Sequence, residues 1–278
     1  MRIGKGANVC ITGAASGIGR STALAMARVG ARLFLTDINE KGLSETCSLI
    51  SQIGGEVCMQ KAFDISSLEN VKAFADKLHR DFGPLDILIN NAGIALFALV
   101  EDMNHKHWKK VIDTNLWGPI HGIECFLPEM IRVKKGHLVN VSSTAGLTGA
   151  PWHAAYSTAK WGLVGLSEVL RYDLMQHNIG VTVICPGAVD TPLKNTVEIL
   201  SVDRQNPSVR KIIGRFEKHA ISPDQVAELI IDAIQKEKFL VITSFDIKIL
   251  YFLKRHIFIA YHIILKRISR MLNSMKEP

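Results

Sequence analysis

Hydrophobic positions along the chain fall into two alternating rhythms. Short apolar, β-rich runs recur as "NVCIT", "RLFLT", "VCMQKAF", "DILIN", "HLVNVS", "VTVIC" and "FLVIT". Between them lie longer segments with apolar residues at helical spacing, among them residues 18–29 and 67–81. Strands alternating with helices in this way predict a parallel sheet covered by helices on both faces. No internal repeat or low-complexity linker interrupts the series, so a single α/β domain is expected. Residues 191–220 break the rhythm: the stretch is polar, aperiodic and contains Pro192 and Pro207, as expected of a mobile lid over a site.

After the last run the pattern changes. At roughly 100° per residue, Ile247, Leu250, Leu253, Ile257, Tyr261, Ile264, Ile268 and Met271 form one apolar stripe, while Lys248, Arg255, His262, Lys266 and Arg270 gather on another face. Residues 244–278 are therefore set apart as an amphipathic helical extension of a domain covering residues 1–243. The longest stretch there without Asp, Glu, Lys or Arg is residues 256–265, far short of the ~20 residues that cross a bilayer. Such a helix either packs its stripe on protein or makes peripheral contact with an anionic membrane, and packing is the favoured reading.

Composition and charge sharpen this picture. The 278 residues, 47% hydrophobic and 21% charged, exclude a disordered chain and suffice for a substantial core. The net charge is +7, yet residues 244–278 hold seven Lys/Arg against two Asp/Glu, or +5, which leaves +2 for everything before them. Basicity is a property of the extension, and no nucleic-acid partner is expected. Cys10, Cys47, Cys58, Cys125 and Cys185 show no C-x-x-C pair and no histidine at zinc spacing, which predicts buried thiols in a reducing compartment and no metal site. The first strand pattern begins at Asn8, leaving no room for a secretory leader, so the expected location is cytoplasmic.

The first strand runs into "TGAASGIG" at residues 12–19, followed by a helix starting near Ile18. Gly13, Gly17 and Gly19 allow a tight turn in which backbone N–H groups approach a pyrophosphate at the helix N-terminus. Asp37 closes the second strand about twenty residues beyond the glycines, where a carboxylate accepts hydrogen bonds from adenosine ribose hydroxyls, or caps the following helix. A carboxylate there repels a 2′-phosphate, and neither Ser16 nor Ile38 supplies a compensating charge. NAD is therefore expected over NADP.

With "TGAASGIG", "NNAG" at 90–93, "YSTAK" at 156–160 and "PGAVDTP" at 186–192 in this order, the chain resembles the short-chain dehydrogenases/reductases over about residues 5–243. The resemblance implies a Rossmann-like, doubly wound, parallel seven-stranded sheet, a nicotinamide cofactor, and a catalytic set of Asn115, Ser143, Tyr156 and Lys160. Ser143 is chosen over Ser142 because the family serine lies thirteen residues before the tyrosine. The same resemblance places Gly13, Ser16, Gly17, Ile18, Gly19, Asp37, Asp64, Ile65, Asn91, Ala92, Gly93, Tyr156, Lys160, Pro186, Gly187, Val189 and Thr191 around the cofactor. Asn90 joins them at the end of the fourth strand. It further implies a homodimer or homotetramer built through the helices that carry Asn115 and Tyr156.

The chemistry follows from residue types. A phenol with an ordinary pKa near 10 is a poor base at neutral pH. Lys160, one turn along, and the oxidised nicotinamide are expected to lower Tyr156 toward the working range, so that it exchanges a proton with a substrate hydroxyl or carbonyl. Ser143 is expected to orient that oxygen, and the resemblance assigns Asn115 a water that connects Lys160 to solvent. Candidate pocket residues are Ile94, Leu96, Phe97, Ala145, Leu147, Trp152, His153, Val189 and Leu193, a largely apolar set suited to a lipophilic secondary alcohol or ketone. The alternatives are an NADP-dependent 3-oxoacyl-thioester reductase and a cofactor-binding scaffold without turnover.

Overall fold

Each of the seven apolar runs forms a strand of one sheet in the computed structural model, which describes residues 3–200 and 218–275, with residues 202, 206, 207, 209, 210 and 214 between them. In chain order the strands are β1 (Asn8–Thr12), β2 (Arg32–Asp37), β3 (Glu56–Ala62), β4 (Ile87–Asn90), the two-residue β5 (Leu96–Phe97), β6 (Gly136–Val141), β7 (Ile179–Cys185), the two-residue β8 (Glu198–Ile199) and β9 (Leu240–Ile242). The main sheet has the order β3-β2-β1-β4-β6-β7-β9, and every pairing in it is parallel. Strand order reverses between β1 and β4, the crevice in which open α/β sheets bind ligands.

Burial on both faces explains the near-continuous apolar runs. All five residues of β1 are buried: Val9 and Ile11 point to one face, where α1 (Gly17–Arg28), α2 (Glu40–Gln52) and α8 (Pro223–Gln235) supply Met26, Ile50 and Ile230. Cys10 points to the other, where α3 (Leu68–Phe82), α5 (Gly118–Val133) and α6 (Ala154–Asp173) supply Phe74, Phe126 and Leu166. The shorter helices are α4 (His105–Ile112) and the single turn α7 (Leu193–Thr196). β5 and β8 were not expected from the pattern. Their parallel pairing, Leu96 with Glu198 and Phe97 with Ile199, pins the start of the anticipated lid, most of whose remaining residues lie outside those described.

The extension forms two helices rather than one continuous stripe. α9 (Phe245–His256) and α10 (Phe258–Asn273) meet at Ile257, whose φ of −135° and ψ of 62° leave the helical region. Tyr261 is buried and Ile247, Leu250, Leu253, Ile264 and Ile268 are half-buried, so most of the predicted stripe packs on protein, whereas Ile257 and Met271 are exposed. Among the described residues no helix is long and apolar enough to cross a membrane. The thiols also differ from expectation. Cys10 and Cys185 are buried, but Cys47, Cys58 and Cys125 are only partly so, and all five are free.

Candidate active site

β1 enters α1 through Gly13 and Gly17, whose φ values of 69° and 51° favour glycine. A side chain at Gly19 would place its Cβ 1.9 Å from the Gly13 carbonyl oxygen, so α1 can start this close to the turn only without one. Ser16 stands at the N-cap of α1 yet makes no side-chain cap hydrogen bond, and the first turn holds no acid. By contrast α2, α3 and α8 are capped by Asn39, Ser67 and Ser222. An uncapped helix N-terminus after a glycine turn offers its free N–H groups to an anion, which fits a dinucleotide pyrophosphate. Ile18 turns away to pack against the core, and the Thr191 side chain lies 3.0 Å from where a Cβ on Gly17 would stand, closer than ordinary van der Waals contact.

The carboxylate of Asp37 is held by two backbone donors: Ala15 N–H at 2.9 Å to Oδ2 and Asn39 N–H at 2.9 Å to Oδ1. It does not cap α2; Asn39 does. Arg20, absent from the expected site, reaches the Ala15 and Gly42 carbonyls and pairs with Glu45 at 3.1 Å, so its charge is already matched. Its position directly after the last glycine is the only signal the sequence holds. Asp64 lies beyond the end of β3, exposed, and accepts from Ser66 N–H at 2.8 Å, while neighbouring Ile65 is buried against Gly118; Ser67 caps α3.

The ends of β1 and β4 are laced together by "NNAG". Thr12 Oγ1 accepts from the N–H groups of Asn91 and Ala92, at 3.0 and 3.1 Å, and Asn91 Nδ2 donates back to the Thr12 and Gly13 carbonyls. Asn90 instead points into the core and donates to Asn140 Oδ1 at 3.0 Å. Thr12 was not anticipated, since a threonine at a strand end has no distinctive spacing.

Asn115 sits in a π-helical turn, Asp113–Trp117, joining α4 to α5. Such single-turn insertions are rare and concentrate at functional sites. The side chain is fully buried and bonds Ile94 twice, accepting from its N–H and donating to its carbonyl, each at 2.8 Å. Gly93 passes between this amide and the lysine: a Cβ there would lie 2.9 Å from Asn115 Oδ1 and 3.4 Å from Lys160 Nζ. Both functional atoms of Asn115 are thus engaged, and the residue fixes the backbone beside Lys160 rather than presenting its amide to solvent.

Tyr156 and Lys160 stand one turn apart on α6. Lys160 is 4% exposed, its ammonium donates to Val141 O at 2.9 Å and lies 5.8 Å from the centre of the Tyr156 ring. Burial pushes this lysine down to about 8. Tyr156 moves opposite to expectation: burial raises its pKa above the ordinary value, and the hydrogen bond with the Ser143 side chain only partly counters that. The ammonium of Lys160, which donates to the β6 carbonyl of Val141, is not among the groups that lower it. The two serines divide their roles. Ser142 donates to Lys160 O at 2.9 Å, whereas the Ser143 side chain meets the phenol and accepts from Ala145 N–H.

Around this group, Leu96, Ala145 and Leu147 belong to the core rather than to an open pocket, while Ile94, Phe97, Trp152, His153, Val189 and Leu193 remain at least partly exposed. His153 is no idle surface residue. Its ring lies 4.2 Å from that of Phe97, its Nδ1 is 2.7 Å from Pro151 O, and burial lowers its pKa. The Cβ missing from Gly187 would meet Ser244 Oγ at 1.8 Å, so the close approach there is to the start of the extension, while buried Pro186 precedes it. The extension also fastens the loop before Tyr156 by three bonds: Lys254 Nζ to Leu147 O (2.8 Å), Gly149 N to Tyr261 Oη (2.9 Å) and Trp152 Nε1 to Asn273 Oδ1 (2.9 Å). Among the described residues no cluster of His, Cys, Asp and Glu could hold a metal ion.

Comparison with known proteins agrees with this geometry. The short chain dehydrogenase family model matches residues 7–199. The chain is 34% identical over 224 residues to the 3-oxoacyl-[acyl-carrier-protein] reductase FabG of Thermotoga maritima, covering 80% of this chain and 88% of that protein. Its structure is similar to a short-chain dehydrogenase/reductase from Burkholderia phymatum in complex with NAD, with a TM-score of 0.84, 29% identity and coverage of 92% and 95% of the two chains. It is also similar to a metagenomic short-chain oxidoreductase in complex with NADP, with a TM-score of 0.70, 31% identity and coverage of 87% and 97%. A nicotinamide dinucleotide fits the glycine turn, the uncapped α1 and the buried ammonium, and the chain belongs to the short-chain dehydrogenase/reductase family of oxidoreductases, which act on CH–OH and ketone groups with that cofactor.

Proposed function

We propose that this enzyme interconverts a hydrophobic secondary alcohol and its ketone with NAD, using Tyr156 as general acid and base. The observation that carries the reading is the Tyr156 phenol, bonded to Ser143 and backed by the buried ammonium of Lys160 on the same helix face. When bound, the nicotinamide ring accepts or gives the hydride. Tyr156 moves the proton at the substrate oxygen, and Ser143 holds that oxygen in line. Lys160, with ammonium N–H groups beyond the one donated to Val141 O, would hold the nicotinamide ribose hydroxyls, and a positive charge near the phenol favours its ionised form. Asn115 positions the 93–94 backbone against Lys160. Asp37, Asp64, Ile65, Asn91, Ala92, Pro186, Gly187, Val189 and Thr191 complete the cofactor cleft.

Asp37 supports NAD, because its carboxylate repels a 2′-phosphate and Arg20 is already paired with Glu45. Ile94, Phe97, Trp152 and Val189 support a lipophilic substrate. Trp117, Trp161, Val169 and Tyr172, exposed on or beside α5 and α6, support a homodimer or homotetramer through those helices. Likeness to FabG favours a second reading, an NADP-dependent reductase of 3-oxoacyl thioesters. Turnover of lipophilic secondary alcohols, followed by NADH absorbance, is expected with kcat/KM higher for NAD than for NADP. The reverse preference, with faster reduction of a carrier-bound 3-oxoacyl thioester, establishes the second reading instead.

A further inference from the structure

The outer face of the extension is apolar where a helix on a protein surface is ordinarily polar. On α9, Phe245, Ile249 and Phe252 follow one another at helical spacing on the side opposite Lys254, whose ammonium turns inward to Leu147 O and lies 3.4 Å from the centre of the Trp161 ring. A lysine faces the domain and large apolar side chains face out. The break at Ile257 carries the patch onto the first turns of α10 through Phe258, Ile259 and Ile263. Phe245, Phe252, Phe258 and Ile259 are 75%, 54%, 63% and 75% exposed. Exposed basic residues border the patch, Lys248 and Arg255 along α9 and Lys266, Arg267 and Arg270 along α10, while Asp246 is the only acid on either helix.

We propose that this face docks on an anionic lipid surface, α9 and α10 lying in its plane with the phenylalanines among the acyl chains and the bordering cations at the level of the phosphates. Charge decides between occupants. A second copy seated through the same face would set Lys248 and Arg255 against a like-charged rim in a self-complementary contact, and a purely apolar partner would leave the cations without counter-ions. Neither helix can span a bilayer, so the contact is interfacial.

The test is co-sedimentation of the full chain with vesicles of phosphatidylcholine and phosphatidylglycerol in equal parts, against vesicles of phosphatidylcholine alone, at low and high salt. Binding to the anionic vesicles is expected to be at least about tenfold stronger and to weaken with salt. Phe252→Ser with Phe258→Ser should reduce it by about tenfold or more, as expected for withdrawing two aromatic side chains from an apolar phase. Lys248→Glu with Arg255→Glu should remove the preference for anionic lipid. Both pairs are surface changes, and unaltered thermal unfolding and dinucleotide binding identify folded variants. Equal or absent sedimentation with the two vesicle types overturns the proposal. So does a dimer that the phenylalanine substitutions dissociate in a chain that ignores vesicles, an outcome assigning the face to a second copy. Dinucleotide turnover is read without vesicles, so this outcome is independent of the proposed reaction.

Discussion

Replacing Lys160 by methionine should abolish turnover and yet stabilise the protein. The ammonium is 4% exposed and is held by Val141 O, and burial pushes its pKa from 10.5 to about 8. At ~1.4 kcal/mol for each tenfold change in proton affinity, keeping the charge in that position disfavours the folded state by about 3 kcal/mol at neutral pH. Methionine has similar length and no charge, and loss of the bond to Val141 O returns about 1 kcal/mol. Lys160→Met is therefore expected to raise the unfolding free energy by about 2 kcal/mol at pH 7. The sign of the pH dependence is fixed. Between about pH 8 and 10.5 the unfolded chain keeps a proton on Lys160 that the folded chain has released, so wild-type stability gains with rising pH there. The variant lacks that gain, and the gap between the two should close toward pH 10.5. Urea unfolding followed by tryptophan fluorescence, at neutral pH and again at alkaline pH, measures both quantities. A variant less stable than wild type at pH 7, or a gap that does not change with pH, refutes the reasoning.

Tyr156→Phe should lower kcat by about 10³-fold while dinucleotide affinity, read by fluorescence titration, is unchanged; wild-type turnover in that variant removes Tyr156 from the reaction. Because burial raises Tyr156, alcohol oxidation should climb with pH through the alkaline range while ketone reduction holds near neutrality, and a flat oxidation profile contradicts the assignment of the base. Gly19→Ala must place a Cβ where the Gly13 carbonyl stands, so it should destabilise the protein by about 3 kcal/mol and lose dinucleotide binding, both measurable by thermal unfolding with and without NAD.

The repeated strand and helix rhythm made the fold legible because a parallel sheet buried on both faces demands near-continuous apolar runs, and β1, β2 and β7 are such runs. The motif residues were legible for a related reason. Glycines with positive φ and a tyrosine with a lysine one turn along satisfy constraints local to a single turn, which spacing alone expresses. The two-residue strands β5 and β8 were not, because each is too short to carry a period and exists only through pairing with the other.

What the sequence determined unaided is the family and the runs that form the sheet, and it singled out the candidate reactive side chains, since these depend on residue type and neighbours close in the chain. Only the tertiary structure decided how those side chains are biased. Burial of Tyr156 outweighs its hydrogen bond to Ser143, Lys160 is turned to a β6 carbonyl, Asn115 is bonded twice by Ile94, and Ser244 stands against Gly187. The same holds for the extension, where most of the predicted stripe packs as a half-buried seam and a second apolar face, made of other residues on α9 and α10, is left pointing outward. Desolvation and close contact depend on groups distant along the chain, and no local pattern records which of them will arrive.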